Sequence, residues 1–225
     1  MIFSKEESAK IIEKVISFSK ADSVEVNLSG GTSMNLRFAV NTVSTSGAAD
    51  TLDVNITSNI GKKSGSVSLT SIEDSEIEKA VRKSEEIAGY SPENEEFIAP
   101  PGKQSNYLEV KEFFEDTEKI NPSDISEKIS YTLKKAEDKK LISSGYFEKN
   151  AEFVSNGNSN GLFSYHKSTS SKFSSTMRTE DSTGSGKIDR MYADINLLNI
   201  KSFLIMLPNG QFYLKDLLSV KPGNM

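Results

Sequence analysis

Along the first third of the chain, apolar side chains fall at every second position. Met34, Leu36, Phe38 and Val40 alternate with Asn35, Arg37, Ala39 and Asn41, which puts four apolar groups on one face of a strand. Val24, Val26 and Leu28 repeat that period before it. Gly30-Gly31 lies between the two runs, so the pattern predicts a hairpin there. Leu52, Val54 and Ile56 form a third run, and Val67 and Leu69 a fourth after Lys62-Lys63. Four strands in series predict an antiparallel meander with one buried face.

Elsewhere the period lengthens to that of a helix. Ile11, Ile12, Val15 and Ile16 follow Ser4, a capping residue with Glu6 and Glu7 in the opening turn, where acidic groups offset the positive helix end. Ile77, Ala80, Val81, Ile87 and Ala88 follow Ser71-Ile-Glu-Asp74 and precede Gly89, predicting a second amphipathic helix with a mixed-charge outer face. Asn121-Pro122-Ser-Asp124 opens a third, carried by Ile125, Ile129, Leu133 and Ala136, with lysines toward its C-terminal end. Between the last two, Pro92 to Tyr107 holds Pro100-Pro101-Gly102 and reads as a crossover. Beyond Leu141, short extended runs at 143–147, 151–154, 162–165 and 173–177 predict a second antiparallel sheet. Asn156-Gly157, lengthened by Asn158 to Gly161, is its turn, and Phe173 to Arg178 pairs with Gly186 to Tyr192. This order places the chain in the α+β class, a meander sheet with packed helices and then a second strand-rich segment. The expected divisions are 1–120, then 121–199 continuing that domain or starting the next, then an atypical tail, 200–225.

Composition narrows the chemistry. The 225 residues carry a net charge of −5 without a basic cluster, so a surface that tracks phosphates, and with it direct nucleic-acid contact, is not expected. Cysteine is absent, which excludes disulfides, thiolate nucleophiles and thiolate zinc sites. No apolar run approaches the ~18 residues of a membrane span, and the opening Met-Ile-Phe-Ser-Lys-Glu-Glu has no signal-peptide character. A soluble cytoplasmic protein is expected.

His166 is the only histidine, and no serine near it stands in a nucleophile motif. Gly184-Ser-Gly186 lacks the strand and Lys-Ser/Thr helix of a phosphate cradle. Asp181, Asp189 and Asp194 match no calcium loop. Asn35, Arg37 and Asn41, on the polar side of the central run, are the candidate recognition face; the competing reading makes them the solvent side of a half-buried sheet. On these residues alone no catalytic centre is recognisable.

Several segments, in this order, resemble the TldD/PmbA family, zinc-dependent peptidases by expectation and also called modulators of DNA gyrase. They are the opening helix with Ser23-Val-Glu-Val-Asn-Leu28, then Leu36-Arg-Phe-Ala-Val-Asn-Thr-Val43, then Ala151-Glu-Phe-Val-Ser-Asn-Gly157 continuing to Gly161, and Thr183-Gly-Ser-Gly-Lys-Ile-Asp-Arg190. The likeness runs from Lys5 to Asn199, and members of the family are considerably longer. In TldD-like members a His-Glu-x-x-x-His helix, with a later ligand, holds zinc. This chain has no such motif, so no catalytic residue and no metal ligand carries over.

PmbA-like members lack the motif too and pair with a TldD-like partner. The resemblance therefore implies the N-terminal portion of a metallopeptidase-family protein, with no cofactor of its own. It would be non-catalytic alone, serving assembly or the guidance of a peptide or protein substrate in proteolysis, with a TldD-like partner or a second copy. Alternatives are a metallopeptidase completed by a partner's zinc ligands, and an interaction module without a peptidase link. Lys201 to Gly210 departs from the Ala- and Lys-rich helix of the family, which predicts a truncated or frame-shifted member.

Overall fold

The structure, a computed structural model, describes residues 1–200 in full and the backbone of 205–206 and 212–213; the expectation for the tail lies otherwise outside the described residues. Helix α1 (Lys5–Phe18) leads into strands β1 (Ser23–Ala39), β2 (Thr42–Ile60) and β3 (Lys63–Leu69), then α2 (Asp74–Tyr90), a single turn α3 (Glu115–Glu118) and α4 (Pro122–Asp138). Strands β4 (Leu141–Asn158), β5 (Phe163–Thr179) and β6 (Ser185–Tyr192) follow. The six strands make one sheet in the order β3-β2-β1-β4-β5-β6. Ile205–Met206 and Phe212–Tyr213 pair separately as β7 and β8. The expected α+β class with its meander is what is found.

Three expectations change. Gly30-Gly31 is not a hairpin but the middle of β1. A Cβ on Gly30 would stand 2.6 Å from the Thr51 carbonyl oxygen, and one on Gly31 2.4 Å from that of Ala151, so the glycines let neighbouring strands approach rather than let the chain turn. The turn lies at Val40 and Asn41, both with positive φ (49° and 60°), the backbone of a two-residue type I′ hairpin. The meander consequently has three strands, because the first two expected runs are both part of β1. In the second half, likewise, the short runs merge into β4 and β5, which join the same sheet rather than form another. The β5–β6 pairing is as expected, Phe173 opposite Arg190 and Arg178 opposite Ser185.

The residues divide into two compact units, each drawn from three chain segments rather than from consecutive blocks. The first comprises 1–32, 50–112 and 151–168. In it α1 and α2 bury Ile12, Val15, Ile77 and Val81 with Val24, Val26, Leu28, Val54, Ile56 and Phe153. Ser4 caps α1 in a reciprocal box with Glu7. α2 starts after Glu73 without a side-chain cap, the Ser71 hydroxyl accepting instead from the Glu73 N–H at 3.2 Å, and runs past Gly89 to Tyr90. Gly65 of β3 lies directly under α2: a Cβ there would meet the Ser84 oxygen and the Ala88 nitrogen, both at 2.3 Å. The Tyr165 hydroxyl donates to the Phe3 carbonyl at 2.7 Å, and Phe3 packs edge-on to Phe153.

Among the described residues, the second unit comprises 33–49, 113–150 and 169–200. Here α4, capped by Asn121, lays Ile125, Ile129 and Leu133 against Leu36, Phe38, Phe147, Phe173 and Ile188, with Ile195, Leu198 and Ile200 completing the cluster. Phe38 and Phe173 stack with centroids 6.0 Å apart. In the interior, the Ser143 and Ser175 hydroxyls hydrogen-bond at 3.1 Å.

Two predictions follow from the first unit. Gly65→Ala forces backbone against backbone and should cost about 1–3 kcal/mol, read as a lower urea midpoint; an unchanged midpoint would show that β3 and α2 can separate freely. Burial, and then the charges of Glu6 and Glu7, push the Tyr165 phenol above its ordinary value. The folded chain thus favours the neutral phenol, so this contribution holds below the ordinary phenol range near ~10 and is lost as pH climbs through the raised value. Tyr165→Phe should lower stability at pH 7 by about 1 kcal/mol and blunt the alkaline loss; equal alkaline limbs for the two proteins would refute the assignment.

Candidate functional site

Alternation along β1 sends Leu36 and Phe38 into the core and leaves Asn35 and Arg37 exposed on the other side. Those two, with Ser33 and Met34 of β1 and Tyr146 and Glu148 of β4, line an open depression of about 440 Å³ in the second unit. The charges around it are unequally committed. Lys172 of β5 lies 5.5 Å from the Tyr146 ring centroid and 3.7 Å from Asp189. Tyr146 first, and then Asp189, raise its pKa, so it stays a paired cation. Glu148 accepts from the Asn150 amide at 2.9 Å. Among the described residues Arg37 has neither a hydrogen-bond nor an ion-pair partner. It is the available cation of this face.

Asn41, the third residue of the expected face, sits elsewhere and is fully employed. Its amide donates to the Leu141 carbonyl at 2.7 Å and accepts from the Ser143 N–H at 2.7 Å. Its own N–H donates to the Ser143 carbonyl at 3.1 Å. The side chain copies a strand's donor–acceptor pair and clasps the hairpin tip to the start of β4, while Asn tolerates the left-handed backbone better than most residues.

One feature is invisible in residue types alone. β3 pairs with β2 only from Val54 (opposite Leu69) to Ile60, and β2 has β1 on its other side. Among the described residues, then, no strand pairs with the outer edge of Thr42 to Asp53. Thr42 to Thr51 are all exposed, and from Thr42 to Ala49 there is no charge and no proline. These are the devices that normally blunt an edge. The missing charge was legible in the sequence; the missing neighbour was not.

Zinc would require three or four converging ligands. His166 Nε2 lies 3.0 Å from Glu112 Oε2 in the first unit, both about half exposed. Among the described residues no three His, Asp or Glu side chains gather where a metal could be held. The three aspartates have other tasks. Asp181 accepts from the Thr183 N–H and hydroxyl, and hydrogen bonds from Thr179 first and then Thr183 hold its pKa down. Asp189 faces Lys172, and Asp194 caps the turn at Ile195–Leu197. Among the described residues the donor set does not fit a zinc centre.

Against known proteins, residues 24–88 match the family model of PmbA/TldA metallopeptidase domain 1. Among solved structures, the chain is similar to TldE from Thermococcus kodakarensis, with a TM-score of 0.72 at 16% identity over 87% of this chain and 46% of that one. It is similar also to a candidate modulator of a DNA gyrase from Thermotoga maritima, TM-score 0.75 at 14% identity, covering 86% and 45%. A third, a candidate modulator of DNA gyrase from Bacteroides thetaiotaomicron, gives 0.72 at 16%, covering 85% and 46%. At these identities the likeness is one of fold, and the chain spans about half the length of each. No curated protein matches it. Among the described residues no helix is long and apolar enough to cross a membrane.

The role of Asn41 can be separated from its backbone shape. Asn41→Gly keeps the left-handed geometry and removes the two side-chain hydrogen bonds of the clasp; it should cost about 1–3 kcal/mol. Amide exchange at Ser143 should accelerate at the same time. Unaltered exchange there would mean the clasp does not form in solution.

Proposed function

We propose, on the match of residues 24–88 to the PmbA/TldA metallopeptidase domain 1 model, that this chain is a non-catalytic, strand-accepting part of a proteolytic assembly, which holds an extended peptide for cleavage elsewhere. The observation that carries this reading is the outer edge of β2. Within the second unit, Thr42 to Ala49 presents a row of backbone donors and acceptors to solvent, over a length that suits a typical strand. An extended peptide laid alongside gains main-chain hydrogen bonds whatever its sequence. A guide that must accept varied substrates needs that tolerance.

Two further observations support the non-catalytic part. The ligands for a zinc centre do not come together among the described residues, and His166 is paired with Glu112 rather than with a nucleophile. Hydrolysis therefore falls to a partner, a TldD-like chain by the family's logic. The net charge of −5 supports peptides rather than DNA as what it handles. Because the chain spans about half of its structural relatives, the partner and the cleavage step belong to the proposal.

Backbone pairing has a signature that side-chain recognition lacks. A fluorescent, acetylated and amidated peptide of about ten Thr, Val and Ser residues, matched to strand length, should bind saturably by anisotropy. N-methylation at alternate residues of one parity should abolish binding, and methylation of the other parity should leave it nearly intact. Binding that survives both patterns, or no saturable binding at all, would overturn the strand-accepting reading.

A further inference from the structure

The Thr42 to Ala49 edge of β2 and the Arg37 depression belong to the same unit, and Gly47 connects them. A Cβ placed on Gly47 would meet only the Asn35 amide group, its nearest atom 3.5 Å away. Gly47 and Asn35 therefore share a face, and the absent side chain leaves the way open from the outer edge of β2 across to β1. A strand added at the edge would lie about 4.8 Å beyond β2, so β1 is roughly 10 Å from it. Two long side chains reaching toward each other over a bare glycine close that gap. On the β1 side the reaching groups are the Asn35 amide and the Arg37 guanidinium, which has no partner among the described residues.

Resting on the strand-accepting reading, we infer that the peptide held at the β2 edge is anchored by a carboxylate, which passes over Gly47 and is bound by Arg37 and Asn35. The planar guanidinium offers paired donors matched to a carboxylate, and charge assistance makes such bonds about twice as strong as neutral ones. Lys172 does not compete, being occupied by Asp189 and Tyr146. Glu148 borders the depression on β4. It disfavours a second negative group, so a single carboxylate on the β2 side of Arg37 is what this site takes. A glutamate side chain and a free C-terminus supply the same chemistry.

The test compares three peptides of the neutral Thr/Val/Ser type: one fully blocked, one blocked but carrying a single glutamate, and one with a free C-terminal carboxylate. At least one carboxylate peptide should bind about tenfold tighter than the blocked one, as expected for one charge-assisted contact. Arg37→Gln should erase that advantage without changing the affinity of the blocked peptide, and Arg37→Lys should restore part of it. High salt should narrow the gap. Equal affinities for all three, or an advantage that survives Arg37→Gln, overturn the anchoring while leaving the strand-accepting reading intact. If the blocked peptide fails to bind but a carboxylate peptide binds, the anchor stands and the edge reading falls. Failure of all three removes both.

Discussion

Everything in this chain answers to the pairing demands of four long strands. A buried backbone N–H or carbonyl without a partner is costly, and β1, β2, β4 and β5 each run 17 to 19 residues. Strands of that length contribute to both compact units. β1 gives Val24, Val26 and Leu28 to one core and Leu36 and Phe38 to the other. β4 divides Phe147 and Phe153 in the same way. Where these strands are buried the period of two is held, because a slip of one residue would turn every apolar group outward.

Small residues occur where pairing leaves no room. Gly30 and Gly31 in β1, Gly65 under α2 and Gly145, whose Cβ would meet the Ser174 oxygen at 2.0 Å, all stand against neighbouring backbone. In three of these four cases a nearby carbonyl oxygen belongs to an adjacent strand. The reversal between β1 and β2 falls to Val40 and Asn41 instead. A β-branched residue at φ 49° is strained, and the Asn41 clasp onto Leu141 and Ser143 offsets that strain. The same turn starts the segment of β2 that no described strand covers. A neutral, exposed edge invites pairing with other chains, which links the local geometry to the proposed use.

Much of the candidate face was legible from alternation alone. Exposed Asn35 and Arg37 follow from buried Leu36 and Phe38. Grouping Asn41 with them depended on continuing the same period, and the period ends at Ala39 because the chain turns. The distinction between a paired Lys172 and an unpartnered Arg37 needed β5 and β6 beside β4, a matter of strand order. The meaning of Gly47 depended on seeing that Asn35 was its neighbour.

By itself the sequence determined the α+β class, the three long helices and the N-caps of two of them, the parity of nearly every core position, and the lack of thiol and of a zinc-binding motif. Those are local properties, set by the 3.6- and two-residue periods and by which atoms the side chains carry. Tertiary structure alone decided that paired glycines lie inside a strand, that one sheet takes up β1 to β6, and that among the described residues β2 keeps a free edge beside an uncommitted arginine. Such features depend on which distant segments become neighbours, and a chain's local pattern specifies that a strand must pair without specifying with what.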